Sequence, residues 1–231
     1  MKPFRFRQFT INQSEDVFRV GTDGVLLGAL ANISDKKRIL EVGTGSGLIS
    51  LMLAQRNSDC QITAIDINEK AVLLAKENFE NSPFSDRLSV MQRDFKNFND
   101  DEAYDLVVSN PPYFDENSSA KDAVARQKIE LNFNDLIRKS SQLISDEGTF
   151  CVIIPFESGP EFISESRLQQ FQLIRKVNIA GIIGSKPKRL ILEFSKTEKV
   201  LIEEHLTIEK SPRQYSEQYI ELTKDFHVFG K

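Results

Sequence analysis

The chain has 231 residues, with a hydrophobic fraction of 40%, a charged fraction of 28% and a formal net charge of -4. These values are typical of a soluble globular protein and predict one large α/β domain over residues 1–231. The negative net charge excludes recognition of nucleic acid by a global positive field, so any RNA partner must be held by a local basic patch.

The sparse cysteines and histidines disfavour metal and redox sites. Cys60 and Cys151 lie 91 residues apart inside strand-like runs, without the spacing of a metal site or a redox pair. His205 and His227 lie late in the chain, away from the motifs described below. We therefore expect two buried thiols in a reducing compartment and no metal. No apolar run approaches the ~18 residues needed to span a bilayer, and no signal core follows the N-terminus, so we expect a cytoplasmic protein.

Apolar runs and helical spacings alternate along the chain. Predicted strands cover residues 39–42, 61–67, 88–92, 104–109, 148–154, 173–180 and 189–195, and predicted helices cover residues 48–56, 69–81, 133–144 and 161–170. Because the central strands are nearly all apolar, the pattern predicts a mostly parallel sheet covered by helices on both faces. The last two strands have no helix between them, which predicts an antiparallel hairpin at the edge of a seven-stranded α/β sheet.

A glycine-rich turn follows the first strand of the predicted sheet. Residues 39–42 run into Gly43, Gly45 and Gly47, and a predicted helix begins at Leu48. In an open parallel sheet, ligands bind beyond the carboxyl ends of the strands, and glycine lets the backbone approach them. The dinucleotide pattern has its third small residue where this chain has Leu48, so the spacing favours S-adenosylmethionine over NAD. A turn that only lets the helix pack on the strand is the alternative.

Acidic residues end the next two predicted strands. Asp66 lies 19 residues after Gly47, where a carboxylate can accept hydrogen bonds from both ribose hydroxyls of a bound cofactor. The alternative role for Asp66 is an exposed loop residue that caps the next helix. Asp94 and Phe95 follow the third strand. They predict a hydrogen bond to the adenine amine and a stacking surface for the adenine ring, with a plain polar turn as the alternative.

The fourth predicted strand is followed by Asn110, Pro111, Pro112 and Tyr113. An aromatic exocyclic amine is a poor nucleophile, because its lone pair is delocalised into the ring. The Asn110 side-chain oxygen and the Pro111 carbonyl can accept its two N–H bonds, and the prolines fix both acceptors in place. Tyr113 offers a ring on which an extruded base can stack, a contact worth ~1–3 kcal/mol. The motif therefore predicts methylation of a planar nitrogen, with a simple Pro-Pro turn as the alternative.

Further segments resemble the bacterial tRNA1(Val) adenine-37 methyltransferase family across nearly the whole chain. They are residues 4–11, 20–29, 41–47, 109–114, 125–126 and 222–226. The resemblance implies a Rossmann-like methyltransferase sheet, S-adenosylmethionine as cofactor, and methylation of the exocyclic amine of the adenine beside the tRNA anticodon. It implies that Glu41 is a further cofactor-binding residue, and that Asn110 contacts both the cofactor and the substrate amine. After Arg126 the chain reads Gln127-Lys128, where many relatives carry a histidine.

Several alternatives to a tRNA methyltransferase stay open, because Asn-Pro-Pro-Tyr also occurs in enzymes that methylate DNA adenine, rRNA bases and a release-factor glutamine. A release-factor enzyme would carry a sizeable helical domain in front. Here only residues 1–37 precede the first sheet strand, and we interpret them as an extension on the substrate side. A nicotinamide oxidoreductase is disfavoured by Leu48, and a non-catalytic binding module by the retained Asn110.

Two groups of basic residues predict contacts to tRNA. Arg5 and Arg7 belong to an N-terminal group that is interleaved with phenylalanines, and Lys186, Lys188 and Arg189 form a loop between the last two predicted strands. For the N-terminal group, an edge strand with inward phenylalanines and solvated arginines is an equal alternative. For the loop, a contact to RNA phosphate is favoured. The expected partner is therefore tRNA, bound by a monomer.

Overall fold

One mixed sheet of nine strands forms the centre of the fold, in a computed structural model that describes residues 1–112 and 132–227. In chain order these strands are β3 (Arg38–Val42), β4 (Gln61–Asp66), β5 (Leu88–Gln92), β6 (Tyr104–Ser109), β7 (Ile144–Pro155), β8 (Gln172–Ile182), β9 (Pro187–Ser195), β10 (Ile202–Ser211) and β11 (Gln214–Tyr215). Their spatial order is β11-β10-β8-β9-β7-β6-β3-β4-β5. A separate N-terminal hairpin pairs β1 (Phe4–Arg5) with β2 (Thr10–Ile11).

Helices cover both faces of the sheet. Those of the described residues are α1 (Thr22–Leu30), α2 (Leu48–Arg56), α3 (Glu69–Glu80), α4 (Phe133–Leu143), α5 (Gly159–Leu168) and α6 (Glu217–Thr223). One face packs against α1, α2, α3 and α6 around buried residues such as Ile39 and Met52. The opposite face packs against α4 and α5 around Phe150 and Phe162. Since successive side chains of a strand point to opposite faces, burial on both faces explains the nearly continuous apolar runs in the sequence.

The strand directions define one edge of the sheet that collects loop residues. β3 to β7 are mutually parallel, β9 runs antiparallel between β7 and β8, and β10 is parallel to β8. The carboxyl ends of the parallel strands and the start of β9 therefore lie together. We call this side of the sheet the carboxyl edge, and the opposite side the amino edge.

The predicted fold class is confirmed, with two more strands than expected. The helix over residues 48–56 and the strands over residues 88–92 and 104–109 have the predicted bounds. The antiparallel hairpin of β8 and β9 is present, and β10 and β11 extend the sheet beyond it to nine strands instead of seven. β10 escapes prediction because it lies near the edge, where only Leu206 of its side chains is buried and the apolar alternation is weak.

Helix α1 also escapes prediction from the sequence. Every residue from Gly24 to Ala29 is buried, so no polar face produces a helical period. Gly24 and Gly28 also disfavour a helix by propensity. The helix forms because packing against α2 and the first face of the sheet outweighs that intrinsic preference.

Gly47 is required at the start of α2 for two independent reasons. Its φ angle is +82°, in the left-handed region, and a β-carbon there would lie 2.5 Å from the Phe79 ring of α3. Left-handed backbone costs a side-chain-bearing residue roughly 1–2 kcal/mol, and forced overpacking costs about 1–3 kcal/mol. Gly47 therefore lets α2 and α3 pack closely beside the turn.

The substitution Gly47→Ala should lower the free energy of unfolding by about 2–5 kcal/mol, because strain and overlap add. Urea denaturation of both proteins measures this difference. Gly181→Ala is the matched control, since a β-carbon at Gly181 meets nothing within 4 Å. Equal losses for the two variants would contradict the close contact with Phe79.

Candidate functional site

The glycine turn, Asp66 and Asn110 meet at the carboxyl edge of three neighbouring strands. Val42 at the end of β3 is paired in parallel register with Ile65 of β4 and with Ser109 of β6. The Ser109 hydroxyl donates to the Val42 carbonyl over 2.9 Å, which ties the ends of β3 and β6 together. Adjacent strands lie ~4.8 Å apart. The residues that follow β3, β4 and β6 therefore leave the sheet side by side.

Most N–H groups of the turn after β3 are hydrogen-bonded within the chain. The N–H groups of Gly43 and Thr44 donate to the Ile65 carbonyl over 2.9 and 3.1 Å, and Gly47 donates to the Thr44 carbonyl over 2.9 Å. Gly43 has a φ angle of +73°, and a β-carbon there would meet nothing within 4 Å. The space beside Gly43 is thus open for a ligand to lie against the backbone.

Asp66 joins the glycine turn to the start of α3. One carboxylate oxygen accepts the Gly45 N–H over 2.9 Å, and the other accepts the Asn68 N–H over 2.9 Å. The helix cap itself is Asn68, whose side chain accepts from the Lys70 N–H over 3.0 Å. Since each carboxylate oxygen has two lone pairs, Asp66 can still accept two ribose hydroxyls.

Glu41 in β3 is completely buried. It lies beneath the glycine turn and next to the first residues of α2. Its Oε2 atom accepts from the Thr44 hydroxyl over 2.8 Å, from the Ser50 N–H over 3.0 Å and from the Ser50 hydroxyl. A carboxylate of the chain itself therefore occupies the helix N-terminus, which stabilises negative charge there. Its other oxygen, Oε1, is buried and has no hydrogen-bond partner in the described residues.

Burial dominates the titration of Glu41. Loss of solvation raises the pKa of the Glu41 carboxyl to about 7, even though the hydrogen bonds from Ser50 and Thr44 favour the charged form. The nearby Asp66 carboxylate raises the pKa further. A positively charged ligand group near this pair would have the opposite effect and favour both charged forms.

These features fit S-adenosylmethionine better than a dinucleotide. The cofactor is cationic at its amine and sulfonium, and the site offers two carboxylates, one with an unsatisfied buried oxygen. Open space beside Gly43 and spare lone pairs on Asp66 suit the methionine chain and the ribose. The N–H groups of Gly43, Thr44, Gly45 and Gly47 donate within the chain, so these four groups do not form a pyrophosphate cradle.

Asp94 and Phe95 lie after β5 and form a turn of their own. Asp94 accepts from the Lys96 N–H over 3.0 Å and from the Asn97 side-chain amide over 3.1 Å. Phe95 is 4% exposed and packs in the core of the second face. Both residues therefore have structural roles that the polar-turn alternative describes, and their contact with adenine stays a prediction.

The residues after β6 place the predicted amine acceptors at the same edge. Asn110 is half-buried, Pro111 is buried and Pro112 is exposed. Asn110 follows Ser109 directly, so it leaves the sheet beside Gly43. Tyr113 and Arg126 lie outside the described residues, and the stacking role of Tyr113 stays a prediction.

The predicted basic loop lies at the carboxyl edge, because β9 begins there. Lys186 and Lys188 are exposed. Arg189 is paired with Asp23 of α1, with its Nε atom 2.8 Å from the Asp23 carboxylate. Arg189 therefore holds the start of α1 against β9, a role that the sequence did not indicate.

The N-terminal arginines are separated from this loop. Arg5 is exposed, and the Arg7 side chain donates to the Lys224 carbonyl over 2.7 Å. Phe6 and Phe9 are buried and stacked, with ring centroids 4.6 Å apart. Phe6 and Phe9 therefore face inward, as the edge-strand alternative predicts. They lie on a separate hairpin, however, and not on an edge strand of the main sheet. An RNA contact by Arg5 or Arg7 stays a prediction.

Other site chemistries receive no support from the described residues. Cys60 and Cys151 are buried free thiols, and burial raises the pKa of each. Among residues 1–112 and 132–227, no group of three His, Cys, Asp or Glu side chains is arranged to hold a metal ion. No helix in those ranges is both long and apolar enough to cross a membrane.

The substitution Glu41→Gln should flatten the pH dependence of stability. Because the folded-state pKa of about 7 exceeds the ordinary value of 4.5, Glu41 favours the folded state most below pH 4.5, and this contribution is lost as pH rises toward 7. A shift of this size corresponds to about 3 kcal/mol. Urea denaturation between pH 5 and 8 measures the loss in both proteins, with the exposed Glu157→Gln as control. Parallel pH profiles for wild type and Glu41→Gln would contradict this burial effect.

Comparison with known proteins identifies the family. The family model of the methyltransferase small domain matches residues 12–179. A tRNA1(Val) (adenine(37)-N6)-methyltransferase of a Flavobacteriaceae bacterium is 53% identical, over 99% of this chain and 100% of the relative. Proteins of the same name are 38% identical in Bacteroides thetaiotaomicron, over 99% of this chain and 98% of the relative, and 38% identical in Haemophilus influenzae, over 99% of each chain.

Solved structures confirm the fold. A protein described as a predicted O-methyltransferase of Agrobacterium tumefaciens aligns with a TM-score of 0.72 at 20% identity, over 88% of this chain and 96% of that chain. The glycopeptide N-methyltransferase MtfA, complexed with sinefungin, aligns with a TM-score of 0.58 at 12% identity, over 77% of this chain and 88% of that chain. With a Rossmann-like methyltransferase fold and full-length relatives of one name, the chain belongs to the tRNA1(Val) (adenine(37)-N6)-methyltransferase family.

Proposed function

We propose that this methyltransferase transfers the methyl group of S-adenosylmethionine to the exocyclic N6 amine of adenine 37 in tRNA1(Val). One observation carries the proposal. The glycine turn, Asp66 and Asn110 converge at one edge of the sheet in a chain that matches relatives of that name over their full length. The cofactor supplies a methyl group activated by a sulfonium.

The cofactor would be held by the turn after β3 and by Asp66. Gly43 and Gly45 bring the backbone close to the methionine chain, and Asp66 accepts the ribose hydroxyls with its spare lone pairs. Glu41 would act from beneath the turn, where its buried Oε1 atom favours a nearby cation. Gly47 contributes through packing against Phe79 and has no need to touch the cofactor.

The amine would be held by Asn110 and Pro111. The Asn110 side-chain oxygen and the Pro111 carbonyl accept its two N–H bonds, which draws electron density back to the nitrogen and aligns it with the methyl group. No general base is needed before transfer, because the amine becomes acidic only when it gains the methyl group. The prolines keep the acceptors in position, and Tyr113 would stack on the extruded base.

The substrate would be bound along the carboxyl edge. Lys186 and Lys188 are exposed there and can pair with RNA phosphates, whereas Arg189 is already paired with Asp23. We treat residues 1–231 as one domain and residues 1–37 as its substrate-side extension, which the packing of α1 beside β9 supports. We further propose that the enzyme acts as a monomer, without a metal, in the cytoplasm.

The substitution Asp66→Asn should weaken S-adenosylmethionine binding by about 10- to 100-fold, because it replaces a charged acceptor of two hydroxyls by a neutral amide. Isothermal titration calorimetry measures the change, and urea denaturation separates it from any loosening of the Gly45 contact. Asp86→Asn is the control, since Asp86 is an exposed acid just before β5, at the amino edge. Unchanged affinity in Asp66→Asn would remove the ribose role from this residue.

The substitution Asn110→Ala should lower the methyl-transfer rate by roughly 100-fold or more, because it removes one of two acceptors that orient the amine. Cofactor binding should change far less. Asn110→Asp keeps an acceptor oxygen at the same distance from the backbone and should retain more activity than Asn110→Ala. Methyl transfer to in vitro transcribed tRNA1(Val), with nucleoside mass spectrometry to identify N6-methyladenosine at position 37, measures all three proteins.

Two outcomes of that assay would count against the proposal. Near-normal turnover in Asn110→Ala would show that the amine is not held by this residue. Methylation of a release-factor peptide with no methylation of tRNA would overturn the substrate and leave the enzyme class intact.

A further inference from the structure

A segment of residues 12–21, which we call the strap, joins the N-terminal hairpin to α1 and lies beside the glycine turn. Its first residue is fixed by Asn78 of α3. The Asn12 N–H donates to Asn78 Oδ1 over 2.8 Å, and the Asn78 amide donates to the carbonyls of Asn12 over 3.2 Å and Ser46 over 2.8 Å. Asn78 is 1% exposed, so these bonds are sheltered from competing water.

Two more contacts hold the middle of the strap against the cofactor side of the sheet. Asp16 forms an ion pair with Lys70 in the first turn of α3, with the charged atoms 2.9 Å apart. The Val17 side chain is buried, and it lies 3.9 Å from the position of a β-carbon built on Gly45. The strap thus passes directly over the turn that follows β3.

The far end of the strap leads toward the basic loop. Just beyond it, Asp23 in the first turn of α1 is paired with Arg189 at the start of β9. In the strand order, β6 and β7 lie between β3 and β9. The chain from Val17 to Asp23 therefore passes the end of β6, where Asn110 leaves the sheet.

Phe18 lies in this part of the strap, directly after Val17, and its side chain is exposed to solvent. Its side chain is 88% exposed, although Val17 before it and Asp23 after it are held by the contacts described above. The next residue, Arg19, is also exposed. Single exposed apolar side chains are common on proteins, so exposure alone indicates nothing. Here an exposed aromatic residue and an exposed arginine are consecutive in the segment between the glycine turn and the basic loop. Unpaired bases stack on aromatic rings, and their phosphates pair with arginine.

We propose that Phe18 is a stacking platform for an unpaired base next to the target adenine, and that Arg19 contacts an adjacent phosphate. This inference rests on the proposed function and adds a substrate-binding residue to it. The ring acts in binding, since the amine is oriented by Asn110. Loss of one stacked base should raise the Kd for RNA by about 5- to 100-fold.

The absence of tryptophan from the chain permits a direct test of stacking. In a Phe18→Trp variant the only indole lies at the proposed platform, and a stacked base should quench its fluorescence. The probe is a synthetic stem-loop RNA carrying the anticodon loop of tRNA1(Val), added in the presence of S-adenosylhomocysteine. Val200→Trp is the matched control, because Val200 is also 88% exposed but lies before β10, at the amino edge.

We expect RNA to quench Phe18→Trp and to leave Val200→Trp unchanged. Quenching of Phe18→Trp by S-adenosylhomocysteine alone, with no further change on adding RNA, would overturn the proposal and make Phe18 a cofactor contact. Equal responses of both variants to RNA would also overturn it, because they would indicate non-specific association.

Kinetics of four variants separate stacking from charge. Phe18→Ala should raise the Michaelis constant for tRNA within the 5- to 100-fold range given above, with little change in turnover. Phe18→Tyr keeps an aromatic ring and should have a Michaelis constant close to that of wild type. Val200→Ala should leave the Michaelis constant unchanged. Arg19→Gln should reduce the salt dependence of RNA binding by about one phosphate contact, and Phe18→Ala should leave that salt dependence unchanged.

The inference fails separately from the proposed function. If wild type methylates tRNA and Phe18→Ala does so with an unchanged Michaelis constant, the platform is wrong and the enzyme assignment stands. If the stem-loop quenches the fluorescence of Phe18→Trp but wild type methylates no tRNA, the platform stands and the proposed reaction is wrong.

Discussion

The geometry of the candidate site depends on the buried carboxylate of Glu41. Its Oε2 atom accepts hydrogen bonds from Thr44 in the glycine turn and from Ser50 in α2, and so joins the end of β3 to the helix that follows. Burial makes this arrangement costly, as the raised pKa of Glu41 indicates. A positively charged group placed beside Glu41 would offset part of this cost, because it would favour the charged form.

Asp66 fixes the same turn from the neighbouring strand. Because it holds Gly45 with one oxygen and Asn68 with the other, Asp66 joins the turn and the start of α3 into one unit. The parallel register then extends this unit to β6, where Ser109 is bonded to Val42. The position of Asn110 relative to the glycine turn is therefore set by backbone pairing, which is far stiffer than a loop.

Local sequence patterns were sufficient for the central part of the fold and for the observation that the glycine turn, Asp66 and Asn110 lie at one edge of the sheet. The strands β3, β4 and β6 are buried on both faces, so their apolar runs stand out, and the Gly, Asp and Asn residues at or just after their ends mark the carboxyl edge. Elements whose burial is uniform or slight were missed. Helix α1 is buried on all sides, and β10 is largely exposed, so neither shows the period expected of its type.

The side-chain partners that arise from distant segments could not be predicted. The pair between Asp23 and Arg189 joins residues 166 positions apart, and it gives a structural role to an arginine whose contact with RNA stays a prediction. Phe95 was expected to stack on adenine, but the core of the second face contains most of its surface. Both cases depend on tertiary packing, which a single sequence does not display.

The internal hydrogen bonding of the glycine turn has a consequence for how fast a ligand can associate with it. Since Gly43, Thr44, Gly45 and Gly47 donate within the chain, the turn loses its conformational freedom when the protein folds. Association then requires little further ordering of the backbone, and loop closure should not limit its rate. A rigid receptor of this kind retains its shape after the product cofactor leaves and is ready for the next molecule without refolding the turn.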